Sequence, residues 1–195
     1  MAYTNLIWAA ATDLTISSDN YTLTGVGTNW TSKAMSNTTL DTGDKLRITY
    51  NSSSGMLFAG IGIDPYPGTP QQASIEYATS ANGSGGFDIY ESGTWKTNSV
   101  NTDTIWYIEI TATDIIYKQG TTTIRTVPRA SGTLYAHIVI KSTESVNIAY
   151  ETTSSGGGSG GGGGEDPPIQ YTDGDSNAHA HLKPLHIFRR QRDWF

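Results

Sequence analysis

Aromatic and amide side chains in two segments have the chemistry that sugar binding requires. Tyr66 lies in a proline-rich stretch, and Trp95, Asn98 and Asn101 follow Glu91. An exposed aromatic ring stacks on the CH faces of a sugar, while amide groups hydrogen-bond to its hydroxyls. We therefore predict a glycan-binding surface formed by Tyr66, Trp95, Asn98 and Asn101. The structural alternative is that Trp95 caps the core and Tyr66 packs on its neighbouring prolines.

Acidic side chains do not form the pattern that a glycoside hydrolase needs. A retaining enzyme requires two carboxyl groups about 5 Å apart. Asp88 and Glu91 have an odd separation, so a regular strand would place them on opposite faces, and Glu76 and Glu109 each stand alone. We predict solvated surface carboxylates and no enzymatic activity. A polysaccharide hydrolase whose catalytic pair is not recognisable in the sequence is the alternative.

Nucleophilic catalysis and phosphate binding also lack their motifs. His137 is the histidine that a Ser-His-Asp triad would have to recruit in the first 153 residues, and no nucleophile elbow accompanies it. No glycine-rich sequence follows a strand and opens a helix, as a phosphate-binding loop would. We predict no catalytic residue and expect His137 to be a half-buried strand residue.

Metal binding has one candidate group, in the C-terminal part of the chain. Asp173, Asp175, His179 and His181 could supply ligands, because His-x-His places both imidazoles on one side of an extended chain. The sequence around Asp173 resembles the start of a calcium loop, but the distal glutamate is missing. We predict no cofactor, with a structural divalent cation as the alternative.

The end of the chain combines large apolar side chains with arginines. Exposed apolar groups beside arginines are typical anchors of protein interfaces, and arginine pairs with carboxylates of a partner. We predict that this segment docks on a larger protein assembly. The anchoring residues are Leu185, Ile187, Phe188, Arg189, Arg190, Arg192, Trp194 and Phe195.

The elements that must position these residues are short strands. Charged residues make up 15% of the chain, and the first 155 residues are rich in Thr, Ser, Asn and Gly, as in β-rich domains. Eleven segments alternate apolar and polar residues and are bounded by turn residues, which predicts an all-β antiparallel sandwich. The predicted strands are 5–8, 21–24, 45–50, 57–63, 74–79, 86–91, 106–111, 114–119, 122–126, 135–140 and 146–150.

The composition changes sharply at residue 154. We predict a sandwich over 1–153, a Gly/Ser linker over 154–164 and a non-globular C-terminal peptide over 165–195. A linker of this length has a typical reach of roughly 15 to 20 Å. A synthetic linker joining a sandwich to a peptide is the alternative to a natural one.

Charge and cysteine content exclude several classes of function. The net charge is −6 and no basic stripe interrupts the first 150 residues, so we expect no nucleic-acid partner. The chain has no cysteine, which excludes disulfides and thiolate metal sites. No signal peptide and no membrane-spanning apolar stretch is visible.

Several segments, taken in order, resemble the concanavalin A-like lectin/glucanase sandwich in the version found in bacterial surface proteins and phage appendages. The strongest match is Phe-Asp-Ile-Tyr-Glu-Ser-Gly at 87–93. The sequence has Gln119 where the pattern usually has an asparagine before the glycine. The resemblance implies a jelly-roll fold and glycan recognition. The other matching segments are 23–25, 27–30, 34–36, 56–61, 75–78, 106–110, 116–121, 134–138 and 146–148.

Together these features predict a non-enzymatic structural protein of a virion or surface appendage, such as a capsid decoration, a head fibre or a tail adhesin. The lectin-like sandwich would be displayed outward and the C-terminal peptide would anchor it. We expect an oligomer within the assembly, a cell-surface glycan as ligand, and a location in the virion or at the extracellular surface.

Overall fold

The computed structural model describes residues 3–27, 30–52, 56–63, 75–99, 102–141 and 143–152. These residues form fifteen β-strands, and no helix occurs among them. The strands are β1 Thr4–Asn5, β2 Trp8–Thr12, β3 Leu14–Ile16, β4 Thr22–Gly25, β5 Ser32–Leu40, β6 Asp44–Tyr50, β7 Met56–Gly62, β8 Tyr77–Asn82, β9 Phe87–Glu91, β10 Thr94–Ser99, β11 Ile105–Ile110, β12 Asp114–Gln119, β13 Thr122–Pro128, β14 Leu134–Ile140 and β15 Ser145–Thr152.

The strands form two antiparallel sheets. The eight-stranded sheet has the order β13-β12-β11-β6-β15-β4-β3, with β1 pairing with β15. The seven-stranded sheet has the order β10-β9-β8-β7-β14-β5-β2. The prediction of an all-β antiparallel sandwich is confirmed. The predicted linker 154–164, the tail 165–195, its anchoring residues from Leu185 to Phe195 and the candidate metal ligands lie outside the described residues.

The core between the sheets follows from the alternation of the strands. In β11, the sequence Ile-Trp-Tyr-Ile-Glu-Ile buries Trp106 and Ile108 and turns the intervening residues outward. Ile48 on β6 pairs with Trp106 on one side and with Ile148 of β15 on the other. Burial of one such side chain stabilises the fold by about 1.5–3 kcal/mol. The apolar side chains at every second position therefore form the core that holds the two sheets together.

The nine-residue strand β5 was not predicted, although it pairs with both β14 and β2. Apart from Leu40 at its end, its inward positions carry small or polar side chains, among them the fully buried Ser32 and Ser36. The Ser36 hydroxyl donates to the Thr38 carbonyl at 2.7 Å and accepts from the Ala136 amide at 2.9 Å. Because these bonds replace those to water, serine fits the interior here.

The outer face of the seven-stranded sheet carries a second, smaller apolar cluster. Phe58, Ile75, Ala78 and Val139 are buried there, and Trp30 and Tyr90 pack against them. Trp30 therefore belongs to this outer cluster and not to the core between the sheets. Within the part of the chain that the structure describes, no helix has the length and apolarity to cross a membrane.

Candidate functional site

Trp95 is a large apolar side chain that the fold leaves in solvent. It lies on β10, the edge strand of the seven-stranded sheet, and is 54% exposed. Trp95 and Asn98 both lie within this strand and not in a loop. At this exposure Trp95 does not cap the core. Its ring is accessible to a ligand.

The turn between β9 and β10 sets how the two strands face each other. Ser92 and Gly93 have φ values of 47° and 75°. Two successive residues with positive φ form the two-residue hairpin turn whose twist matches that of antiparallel strands. Thr94 consequently pairs with Glu91, and Trp95 with Tyr90.

A β-bulge in β10 brings the candidate residues to one face. The register shifts between Trp95 and Thr97, so that Asn98 pairs with Asp88 while Trp95 pairs with Tyr90. Asp88 and Tyr90 are two residues apart on β9 and share a face, whereas Phe87 and Ile89 point into the core. Because Lys96 is the extra residue of the bulge, Trp95 and Asn98 also share that face. We call Asp88, Tyr90, Trp95 and Asn98 the outer-face patch.

The ring of Tyr90 packs against a second aromatic ring within the outer face of the sheet. It packs edge-on against Phe58, with ring centroids 5.0 Å apart and an interplanar angle of 80°. Burial, and then the charge of the Asp88 carboxylate, raise the pKa of Tyr90. Its hydroxyl is therefore protonated at neutral pH and is available as a hydrogen-bond donor.

Asn82 supports the polar side of the patch. Its Oδ1 atom accepts from the backbone amides of Ser84 at 3.0 Å and Gly86 at 3.1 Å, which orients the side-chain amide. Its Nδ2 atom then lies 3.5 Å from Oδ1 of Asp88. The patch thus combines an exposed ring with a carboxylate, an amide and a phenol hydroxyl.

The carboxylates that we took for solitary surface groups have structural partners. Glu109 pairs with Lys118 at 2.6 Å and with Lys45 at 3.2 Å, and Lys45 also lies 3.5 Å from Glu151. Desolvation opposes ionisation of Glu109, but the hydrogen bonds and charges of the two lysines outweigh it and lower its pKa. A general acid would need the opposite shift.

Two further carboxylates are also engaged. Oε2 of Glu76 accepts from the Ile63 amide at 2.8 Å. The Glu91 side chain faces Arg125, whose Nε atom lies 2.6 Å from Oε1, so it points away from Asp88. Among the described residues, these carboxylates are occupied by structural bonds instead of converging on one point.

The sequence prediction covered part of the patch. Trp95 and Asn98 come together in the structure, whereas Tyr66 and Asn101 lie outside the described residues. Asp88 and Tyr90 were missed as members of the patch, because the bulge in β10 decides which residues of β9 lie beside Trp95 and Asn98. Ser92 and Gly93 are recognisable in the sequence as hairpin-turn residues, which indicates that the strands on either side of them pair. This pairing, together with the bulge, places Asp88 and Tyr90 beside Trp95 and Asn98.

Comparison with known proteins supports the fold. No family model matches the chain. No curated protein matches it either. The TRIM65 PSpry domain matches with a TM-score of 0.59 at 6% identity, covering 74% of this chain and 88% of that domain. The SPRY domain of human HERC1 matches with a TM-score of 0.52 at 15% identity, covering 71% of this chain and 93% of that domain.

At these identities the likeness concerns the fold alone. SPRY domains are β-sandwiches related to the concanavalin A-like fold. The resemblance seen in the sequence therefore holds at the level of architecture, and its narrower link to phage appendages and to glycans is not part of what these structures share with the chain.

Proposed function

We propose that the chain is a non-enzymatic recognition protein whose sandwich binds a glycan through the outer-face patch. The observation that carries this proposal is the bulge in β10. It places the exposed Trp95 ring and the Asn98 amide on the same face as Tyr90 and Asp88. A ring beside several hydrogen-bonding groups matches the two surfaces of a sugar, its CH face and its hydroxyls.

The charge of the patch favours a neutral glycan. The Asp88 carboxylate is its formal charge, and Tyr90 is protonated at neutral pH. A carboxylate accepts hydrogen bonds from sugar hydroxyls but repels an acidic sugar at close range. The ligand class is therefore a hydroxyl-rich, uncharged sugar.

The ion pairs of two carboxylates support the part of the proposal that the chain is not an enzyme. Glu109 is held ionised by Lys45 and Lys118, and Glu91 is held by Arg125. Neither is placed to donate a proton to a leaving group.

The proposal includes display on a larger assembly, a virion or a surface appendage. Its support is in the sequence alone, where the Gly/Ser linker 154–164 joins the sandwich to the apolar and arginine-rich end of the chain. Tyr66 and Asn101 stay predicted contributors to the glycan surface.

A glycan array probed with the full chain and with Trp95→Ala tests the glycan proposal. We expect binding to uncharged glycans to fall by at least roughly fivefold, since one aromatic stacking contact is worth about 1 kcal/mol or more. Ile7→Ala is the matched control, because Ile7 is 61% exposed and lies beside the opposite edge of the same sheet. Equal binding by Trp95→Ala and wild type would refute the proposal.

Display is tested separately by deleting residues 165–195 and measuring incorporation into particles purified from the source. We expect the deleted protein to keep glycan binding and to be absent from particles. Unchanged incorporation would rule out the tail as the anchor and leave the glycan proposal standing.

A further inference from the structure

The outer face of the eight-stranded sheet carries an arginine that no carboxylate neutralises. Arg47 lies on β6, the central strand in the order of this sheet, between Leu46 and Ile48, which are buried in the core. Because side chains alternate along a strand, Arg47 points outward. Among the described residues it takes part in no ion pair and donates no hydrogen bond. Its guanidinium is therefore a charge that this part of the fold leaves unpaired.

The neighbouring charges balance one another and leave Arg47 in excess. Glu109 lies 2.6 Å from Lys118 and 3.2 Å from Lys45, and Lys45 lies 3.5 Å from Glu151. Two lysines thus match two carboxylates on this face. With Arg47 included, three cations face two anions, a net charge of +1, although the whole chain carries −6. Such a local excess attracts an anion with a single negative charge.

The ring of Tyr3 packs on the guanidinium of Arg47. Cζ of Arg47 lies 4.7 Å from the centre of this ring, and the Tyr3 hydroxyl lies 3.4 Å from that of Tyr107. Nε of Arg47 is enclosed and has no partner, whereas the residue as a whole is only partly buried. The two Nη atoms are therefore the donors that a ligand can reach. Partial removal from water strengthens the attraction between this cation and an anion.

The side of Arg47 toward the start of β15 is polar and uncharged. Thr49 on β6 pairs with Asn147 on β15, and Asn147 pairs with Thr22 on β4. Oδ1 of Asn147 faces Nδ2 of Asn51 at 3.5 Å, so Nδ2 of Asn147 is left as a donor. Hydroxyl and amide groups of this kind bond to a hydroxylated ligand. A protein partner would instead present apolar surface at the core of its interface, which this part of the face does not match.

We propose that Arg47, together with Tyr3, Tyr107 and Asn147, binds an acidic sugar, a uronic acid unit of a polysaccharide. Tyr3 packs on the guanidinium, so the carboxylate meets the edge of Arg47 that carries the Nη donors. The Asn147 amide bonds to a hydroxyl of the sugar ring. A guanidinium binds a carboxylate through two parallel bonds, which makes the contact both strong and directional. This site, which we call the Arg47 site, lies on the opposite sheet from the outer-face patch and does not depend on it.

An NMR titration of the full ¹⁵N-labelled chain at constant ionic strength tests the proposal. The probes are methyl β-glucuronide, methyl β-glucoside, which lacks the carboxylate, and acetate, which lacks the sugar. We expect the glucuronide to shift the amide signals of β6, β11 and β15 around Arg47. It should bind at least roughly tenfold more tightly than the glucoside, because the charge-assisted bonds are lost in the latter.

Acetate should shift the same signals and bind more weakly than the glucuronide. Equal affinities for the two glycosides, or for the glucuronide and acetate, would overturn the proposal. Tighter binding of the end-blocked tripeptide Thr-Glu-Thr than of the glucuronide would also overturn it, since the site would then belong to a protein partner.

Two substitutions at Arg47 separate charge from geometry. Arg47→Gln should weaken glucuronide binding at least roughly tenfold, to the level of the glucoside. Arg47→Lys keeps the charge but loses the two parallel donors, so it should also bind the glucuronide several-fold more weakly. Wild-type affinity in Arg47→Gln would refute the site, and wild-type affinity in Arg47→Lys would refute the paired bonds to the carboxylate.

Arg129→Gln is the matched control. It changes the net charge by the same amount, but Arg129 bonds to the Thr42 hydroxyl at 2.7 Å and to the Thr111 carbonyl at 3.3 Å. It should keep the wild-type affinity for the glucuronide, and so should Trp95→Ala, which weakens only the binding of uncharged glycans. Melting temperatures and the amide spectra away from the Arg47 site show whether each variant is folded. Equal losses in Arg129→Gln and Arg47→Gln would contradict a specific site.

Discussion

His137 is a titratable side chain that the fold has removed from water. It lies on β14 opposite Gly60, on the outer face of the seven-stranded sheet, and is fully buried. Desolvation lowers its pKa to about 4. We expected a half-buried histidine, but burial is complete because His137 lies on the face that carries the second apolar cluster around Phe58 and Val139.

This burial makes stability depend on pH in a defined direction. The unfolded chain protonates His137 near pH 6.5, whereas the folded chain does so only near pH 4, so unfolding takes up a proton between these values. The contribution of neutral His137 to the free energy of unfolding is complete above about pH 7. It decreases as the pH falls, and about 3 kcal/mol is lost at pH 4.

The measurement is urea unfolding from pH 7.5 to 4.5 for wild type and His137→Gln. We expect the variant to lose less stability than wild type over this interval, whatever its stability at pH 7.5, because it lacks the titrating group. Identical pH slopes for the two proteins would contradict a depressed histidine pKa.

At the scale of elements, the β9–β10 hairpin determines the geometry of the outer-face patch. Its turn depends on Gly93, whose φ of 75° lies in the left-handed region. A side chain there costs about 1–2 kcal/mol. The same turn aligns Trp95 with Tyr90, so turn stability and patch geometry are coupled.

Gly93→Ala should therefore lower the free energy of unfolding by about 1–2 kcal/mol and weaken glycan binding. Ser92→Asn is the comparison, since Asn-Gly is the preferred pair for this turn and should raise stability by a few tenths of a kcal/mol or more. Denaturant unfolding and glycan binding are measured on both variants. Full stability in Gly93→Ala would mean that the turn does not need a positive φ at this residue.

At the scale of the whole molecule, the two sheets share one core. Ile48 lies at its centre between Trp106 and Ile148 and has no exposed surface. Removing three carbons from such a site costs about 2–5 kcal/mol, because the cavity does not close completely. The ion pair of Arg125 with Glu91 links β13 of one sheet to β9 of the other.

Ile48→Ala should therefore destabilise the sandwich by about 2–5 kcal/mol in one cooperative transition. Ile7→Ala, at a 61% exposed position, should change stability by no more than about 0.5 kcal/mol. Tryptophan fluorescence and far-UV circular dichroism follow the transition. Two separate transitions for the two sheets would argue against a shared core.

Sequence reasoning reached the fold class, and it located most strands, because alternation with a period of two is a local property. It missed β3, β5 and β10, and its strand at 5–8 overlaps β1 and β2 by a single residue each. It also placed the strand at 74–79 too early, since β8 spans Tyr77–Asn82. In β5 the buried positions are Ser32, Ala34, Ser36 and Leu40, so only the last of them is a large apolar residue and the apolar signal is weak. Ser36 is acceptable there because its hydroxyl bonds to the Thr38 carbonyl and to the amide of Ala136, one hundred residues away.

The sequence by itself determined that antiparallel sheets would pack on one core, and it singled out Trp95 and Asn98 as groups able to bind a sugar. The tertiary structure alone decided that these two residues share a face with Asp88 and Tyr90, because a bulge inserts one residue into the pairing. It also decided the burial of His137 and Tyr117. Registers and burial depend on contacts between distant strands, which no local pattern of residues specifies.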